Sequence, residues 1–198
     1  MAWSYEQLFN SLNTGDLNGQ DSWSGDPNYD VGTTAPFEGT KGVQSTASNG
    51  TIRRAITAVS SGVMYFAMRR PDTISDAEFQ LRTAGNTLVR LQIAFQGGNI
   101  TVSDSASPHT LVTNYSTSVF YVFEVTFDAS NQHSIRYRTT ATAWSASTGN
   151  LAAENNGDID AVGFSQGSLG TAYIDTITPT DPTPSSISGS TASLMGVG

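Results

Sequence analysis

Cysteine is missing from all 198 residues, which excludes a disulfide framework, a thiol nucleophile and a cysteine-based zinc site. This absence leaves the redox compartment open. There are 2 histidines. His109 follows Pro108 in a turn and His133 opens a strand pattern, so neither has a partner at metal-ligand or Ser-His-Asp spacing. Lys41 is the only lysine, and charged residues make up 13% of the chain. The net charge of −8 repels phosphate backbones and argues against a nucleic-acid partner. No apolar run approaches the ~20 residues of a spanning helix, so no membrane partner is predicted. The opening MAWSYEQLFN has no basic n-region, apolar h-region or cleavage motif, and so does not read as a secretory signal peptide. The Met1-Ala2 start favours synthesis in a cytoplasm over a trimmed secreted domain.

What the chain does have is alternation. From Ser118 to Arg138, Val119, Tyr121, Phe123, Val125 and Phe127 fall on every second residue, and Ile135 and Tyr137 repeat the pattern after a turn at Asp128. A period of two over that length predicts a strand with one face in a core, followed by its antiparallel partner. Aromatics at 10% argue against disorder.

In chain order, Ser4 to Asn10 reads as a first edge strand, and the Asn/Asp/Gly-dense stretch to Asp30, with Trp23 inside it, reads as loop. Val43 and Gln44 fall in a strand, and Asn49-Gly50 reads as a hairpin turn into the strand that opens at Thr51. Val63 to Arg70 is apolar on both faces, which predicts a central strand covered on two sides. Phe79 and Leu81 point inward with Glu78, Gln80 and Arg82 outward. Val89, Leu91, Ile93 and Phe95 point inward with Arg90 and Gln92 outward, before a tight turn at Gly97-Gly98. Leu151 to Glu154 reads as one helical turn, and Ile159 to Ser165 and Thr171 to Thr178 as the last two strands. The pattern predicts an all-β, two-sheet antiparallel β-sandwich over residues 1–178. Residues 179–198 are Pro/Ser/Thr/Gly-rich and read as a linker, flexible tail or extended arm, with Ile187, Leu194 and Met195 as anchors on a neighbouring subunit in the last case. Trp3 is a second candidate for such a contact.

Four blocks together resemble the concanavalin A-like lectin/glucanase jelly-roll superfamily, including its laminin G-like members. They are Phe9 to Trp23, Gly62 to Arg69 with the Phe79 strand after it, Phe120 to Asp128 before the Tyr137 strand, and Ala161 to Ile177. The resemblance implies a jelly roll whose chain ends return to neighbouring strands and whose larger sheet offers an outward binding surface. The signal-less start also resembles laminin G-like proteins of tailed-phage virions.

The hydrolase branch of that superfamily carries two glutamates around an aspartate on one strand, set for a nucleophile and an acid about 5–5.5 Å apart. Here Asp158 stands at the first acid and Gly163 at the second, with Asp160 between them. That departure argues against catalysis, and so does the inward parity of Tyr121 and Tyr137, which a lyase would need on the open sheet. Asp16, Asn18 and Asp21 offer oxygen ligands loosely like the start of a calcium loop, with Asp175 able to join them if the chain ends meet. The alternative is Asx-turn chemistry with no ion.

The outward positions Gln80, Arg82, Arg90, Gln92, Glu124, Arg136 and Arg138 form a polar contact face if their strands share one sheet. The plainer alternative is a solvated face with cross-strand pairs such as Glu124–Arg136. Trp23 and Trp144 are loop tryptophans that could stack on a pyranose ring or lid the sandwich. The expected function is non-catalytic: a structural module on a virion surface, made in the host cytoplasm, with protein subunits of an assembly as partners and surface glycans as a further one. A carbohydrate-binding domain of a secreted enzyme or adhesin is the alternative, and a polysaccharide hydrolase or lyase a third.

Overall fold

The computed structural model describes residues 2–34, 36–46, 50–74, 76–167 and 170–184. Numbered in chain order, one sheet holds β1 (Gly15–Asp16), β3 (Tyr29–Gly32), β4 (Gly42–Ser45), β6 (Gly62–Arg69), β11 (Tyr121–Phe127), β12 (Gln132–Thr139), β13 (Leu151–Ala152) and β15 (Ala172–Thr178). The other holds β2 (Trp23–Gly25), β5 (Gly50–Val59), β7 (Ala77–Thr83), β8 (Leu88–Gln96), β9 (Asn99–Val102), β10 (His109–Val112) and β14 (Ile159–Gln166). The first runs β1-β3-β4-β15-β6-β11-β12-β13 and the second β10-β9-β8-β7-β14-β5-β2, antiparallel throughout. The two face each other as an antiparallel β-sandwich.

The alternation predicted for the central hairpin holds. Tyr121, Phe123, Val125 and Phe127 are buried, and β11 pairs with β12 so that Phe123 faces Tyr137 and Glu124 faces Arg136. Aromatic rings join the layers. Phe66 of one sheet stacks on Phe79 of the other at 3.9 Å, and Phe95 meets Phe123 edge-on at 6.1 Å. Large rings fill a layer about 10 Å thick with few residues, so short strands suffice to build the core.

Several local expectations are corrected. The strands on either side of Asn49-Gly50 do not form a hairpin: β4 pairs with β3 and β15, whereas β5 pairs with β14 and β2 in the opposite sheet. Asn49 itself lies outside the described residues, as do Ile187, Leu194 and Met195. Leu151-Ala152 is a short strand on β12 and not a helical turn. The opening segment makes one isolated bridge, Gln7 to Ile177, and no longer strand. Trp3 is buried within its own chain, edge-on to Phe127 at 6.0 Å. The close fit explains Gly62, where a Cβ would lie 2.5 Å from that of Trp3.

The polar face is divided. β7 and β8 belong to one sheet, β11 and β12 to the other, so Gln80, Arg82 and Gln92 lie on the opposite outer surface from Glu124, Arg136 and Arg138. Arg90 lies on neither. β7 pairs Leu81 with Leu91 but Arg82 with Val89, so Arg90 is the extra residue of a β-bulge. A bulge resets the side-chain alternation. Arg90 turns inward to the end of the sandwich, where it donates to the Gly157 and Asp128 carbonyls at 2.6 and 2.7 Å and covers the Phe127 ring.

Candidate functional site

The outer face of the eight-stranded sheet gathers side chains that can touch a ligand. Register places Tyr65 of β6, Glu124 of β11 and Arg136 of β12 in one row, and Ala67, Val122 and Arg138 in the next. Arg136 donates from Nε and Nη2 to the two Glu124 oxygens, each at 2.6 Å, and the Tyr65 hydroxyl donates to Oε2 at 2.7 Å. Burial pushes the Glu124 carboxyl up, but the Arg136 and Tyr65 donors outweigh it and hold the group below its usual range. The Tyr65 hydroxyl is pushed up to about 12 by burial and by its bond to Glu124.

Trp144 lies over this floor. The Arg136 and Arg138 guanidinium carbons stand 4.9 and 5.1 Å from its ring centroid, and the Tyr65 ring lies 6.0 Å away. Arg136 and Arg138, two residues apart on one strand, project from the same side of it, and both reach the half-buried indole. The loop is held in place: Ser145 N–H donates to the Tyr137 carbonyl at 2.8 Å, and Thr148 N–H to that of Ile135 at 2.9 Å. The Trp144 indole N–H has no hydrogen-bond partner among the described residues. Beside it, Phe37 and Phe120 cover Ala67 and Val122, and Arg69 lies over the Phe120 and Tyr173 rings at 5.1 and 4.3 Å. β6 is therefore covered on both faces, as its double apolar pattern predicted.

The first residues of the tail also reach this face. Pro182 is buried, and Arg138 Nη2 donates to Asp181 Oδ1 at 2.8 Å and to the Pro182 carbonyl at 2.7 Å. This stretch packs against its own domain, which composition alone did not reveal.

Trp23 does not contribute. It is 1% exposed, stacked on Phe164 at 5.2 Å in the core, and is not a loop residue. On the opposite sheet Gln80 and Arg82 are buried by bonds to each other, to Glu78 and to the Asn86 and Thr87 carbonyls. The Gln92 N–H donates to Ser103 Oγ and its carbonyl accepts from the Ser103 N–H, each at 2.8 Å. The Gln80 and Arg82 side chains stabilise their own sheet.

The proposed calcium ligands are dispersed. Asp16 accepts from Asn18 N–H in an Asx turn, Asn18 accepts from Gly25 N–H, and Asp21 pairs with Arg54. Asp175 is buried on β15 and accepts from the backbone N–H groups of Phe37, Glu38 and Thr176. None of the first three is among its partners, and Asp16 makes the Asx turn that the alternative expected. Burial pushes the Asp175 carboxyl up to about 7, against the three amides that favour its charged form. Next to it Thr176 has φ 56° at a bulge in β15, a rare and strained conformation for a β-branched residue.

The acid pattern is interrupted at Gly163. Asp160 accepts from the Gly85 and Asn86 amides. A Cβ on Gly163 would lie 3.1 Å from the Ile52 carbonyl oxygen and 3.2 Å from Arg53 Cγ, so the backbone of β5 passes close to this position. A cavity of about 490 Å³ lies elsewhere, between Trp3–Tyr5 and β5. Its one charged residue, Arg54, is already paired with Asp21.

No protein-family model matches the sequence, and no curated protein is detectably similar to it. Solved structures are. A sialidase shares 11% identity at a TM-score of 0.66 over 88% of this chain, which spans 18% of that one. The binding domain of botulinum neurotoxin serotype D gives 10% and 0.59 over 90% of this chain and 48% of its own. A β-glucanase of Bacillus licheniformis gives 12% and 0.55, over 90% of this chain and 98% of its own. A carbohydrate esterase from the Shiga toxin-encoding bacteriophage phi24B gives 11% and 0.54, over 88% and 98%. At such identities the likeness is one of fold. With two antiparallel sheets, chain ends meeting at the Gln7–Ile177 bridge and these neighbours, the chain has the concanavalin A-like β-sandwich fold.

Proposed function

We propose that this domain is a non-catalytic module that binds carbohydrate on the outer face of the eight-stranded sheet, with Trp144 as its platform. The carrying observation is the half-buried indole itself: the Arg136 and Arg138 guanidinium groups lie against its ring, and among the described residues its N–H has no hydrogen-bond partner. Sugars bind by stacking a pyranose face on an aromatic ring and satisfying hydroxyls around it, and Arg136, Glu124 and Tyr65 supply donors and acceptors beside the ring. The acids here suit binding better than chemistry. Glu124 is already paired with Arg136 and held ionised, and Asp175 is buried under backbone amides. The sialidase, β-glucanase and carbohydrate esterase with this fold support a glycan ligand by analogy.

The finer reading is a virion-surface module, made in a host cytoplasm and contacting other subunits of an assembly. The phage esterase, which aligns over 98% of its own length, supports it by analogy. Capsid and tail genes beside this one would favour that reading; polysaccharide-degradation genes would favour a secreted binding domain. The function itself is tested on a glycan array with wild type and Trp144→Ala. Binding lost in the variant is the expected result, and binding that survives the substitution moves the site elsewhere.

A further inference from the structure

The two arginines under Trp144 are held differently, and the difference selects a ligand class; the inference rests on the carbohydrate reading above. Arg136 is charge-paired by a two-point grip on Glu124, whose second oxygen also takes Tyr65. Arg138 Nη2 touches the Asp181 carboxylate by a single contact, to Oδ1 at 2.8 Å, and also donates to the Pro182 carbonyl at 2.7 Å, while the Asp181 side chain is 47% exposed. Asp181 comes from the irregular segment after β15, outside either sheet. A carboxylate held at one point by an exposed residue is readily exchanged. A carboxylate that meets the guanidinium fork with two parallel bonds holds it more strongly.

We propose that Asp181 is a built-in placeholder and that Arg138 is a subsite for the carboxylate of an acidic saccharide. The sugar ring lies on Trp144, its carboxylate replaces that of Asp181 on Arg138, and the exposed Asp181 side chain swings into solvent while Pro182 stays packed. Glu124 does not oppose this, because Arg136 neutralises it. With Asp181 displaced, Arg138 is the cation in need of a partner, 5.1 Å from the platform ring. Asp181 therefore sets a threshold: neutral sugars bind the indole without displacing its side chain, whereas carboxylated ones gain Arg138 at its expense.

The test compares a uronic-acid oligosaccharide with its carboxyl-reduced neutral counterpart by calorimetry at low and high salt. Wild type should prefer the acidic sugar, and salt should weaken the preference. Asp181→Asn should raise the acidic-to-neutral affinity ratio by up to about fivefold, the range of one exposed ion pair. Arg138→Gln should bring the ratio to about one, with circular dichroism confirming the fold of each variant. Equal binding of both sugars, or a ratio unmoved by Asp181→Asn and Arg138→Gln, overturns the acidic-ligand inference and leaves the platform reading standing. Failure of both sugars and of the wider array removes the platform reading and this inference with it.

Discussion

Arg136 faces Glu124 across β11 and β12 and holds both carboxylate oxygens at 2.6 Å, while Tyr65 approaches the same carboxylate from β6 at 2.7 Å. The arrangement ties three adjacent strands together on the face that carries Trp144. The Arg136 side chain is 39% exposed, so solvent screens the pair and its two-point geometry is what lifts it above an ordinary surface contact. Glu124→Gln should destabilise by about 1–2 kcal/mol in urea unfolding. A cycle with Arg136→Gln should show coupling of about 0.5–1 kcal/mol; zero coupling would make the pair ornamental.

The core prediction concerns Phe123, which is fully buried and in ring contact with Phe66 at 4.9 Å and Phe95 at 6.1 Å. Phe123→Ala should cost about 3–5 kcal/mol. A change within about 0.5 kcal/mol is what a surface position gives, and it would place the ring outside the core.

The two tryptophans should separate stability from binding. Trp23→Ala removes a buried ring stacked on Phe164 and should cost about 3–5 kcal/mol. Trp144→Ala, at a half-buried position, should cost less than about 2 kcal/mol and should abolish saccharide binding. The reverse order in thermal melts would mean the roles have been exchanged.

Asp175 should make stability fall with rising pH. Its folded pKa of about 7 lies above its unfolded value of 3.8, so the protonated form is favoured in the fold. That contribution is complete below about pH 4 and is lost as pH rises to about 7, a change on the order of a few kcal/mol. His133, whose pKa burial lowers, works the other way: its contribution is present above its unfolded value and is lost as pH falls. Asp175→Asn isolates the first effect. Urea midpoints from pH 4 to 8 should lose their downward slope in the variant, and an unchanged slope would assign it to another group.

Much of the fold was legible in local pattern. The alternation from Tyr121 to Phe127, the double apolar faces of Val63 to Met68 and the turn at Gly97-Gly98 are each specified by neighbours in sequence. Arg90 was not legible, because its inward turn depends on a bulge against β7 and a bulge leaves no periodic signature. Nor was the place of Trp23, since three residues of strand inside a polar run look like loop. Half the site was visible: Glu124, Arg136, Arg138 and Trp144 were singled out from parity and residue type. Tyr65, Phe37 and Asp181 were missed, although Tyr65 sits on the second face of a strand already read as two-sided.

Sequence alone determined the class of the fold and, where no bulge intervenes, the side of its well-patterned strands that enters the core, because side-chain parity is a property of adjacent residues. It also set the Glu124–Arg136 pairing, since a hairpin with a short turn admits one register. Tertiary structure decided which strands share a sheet, and so split the expected polar face into two. It alone brought Trp144, 8 residues beyond Arg136, and Asp181, 43 beyond Arg138, onto one surface, because contacts at that separation depend on how the two layers are wound and not on any local pattern.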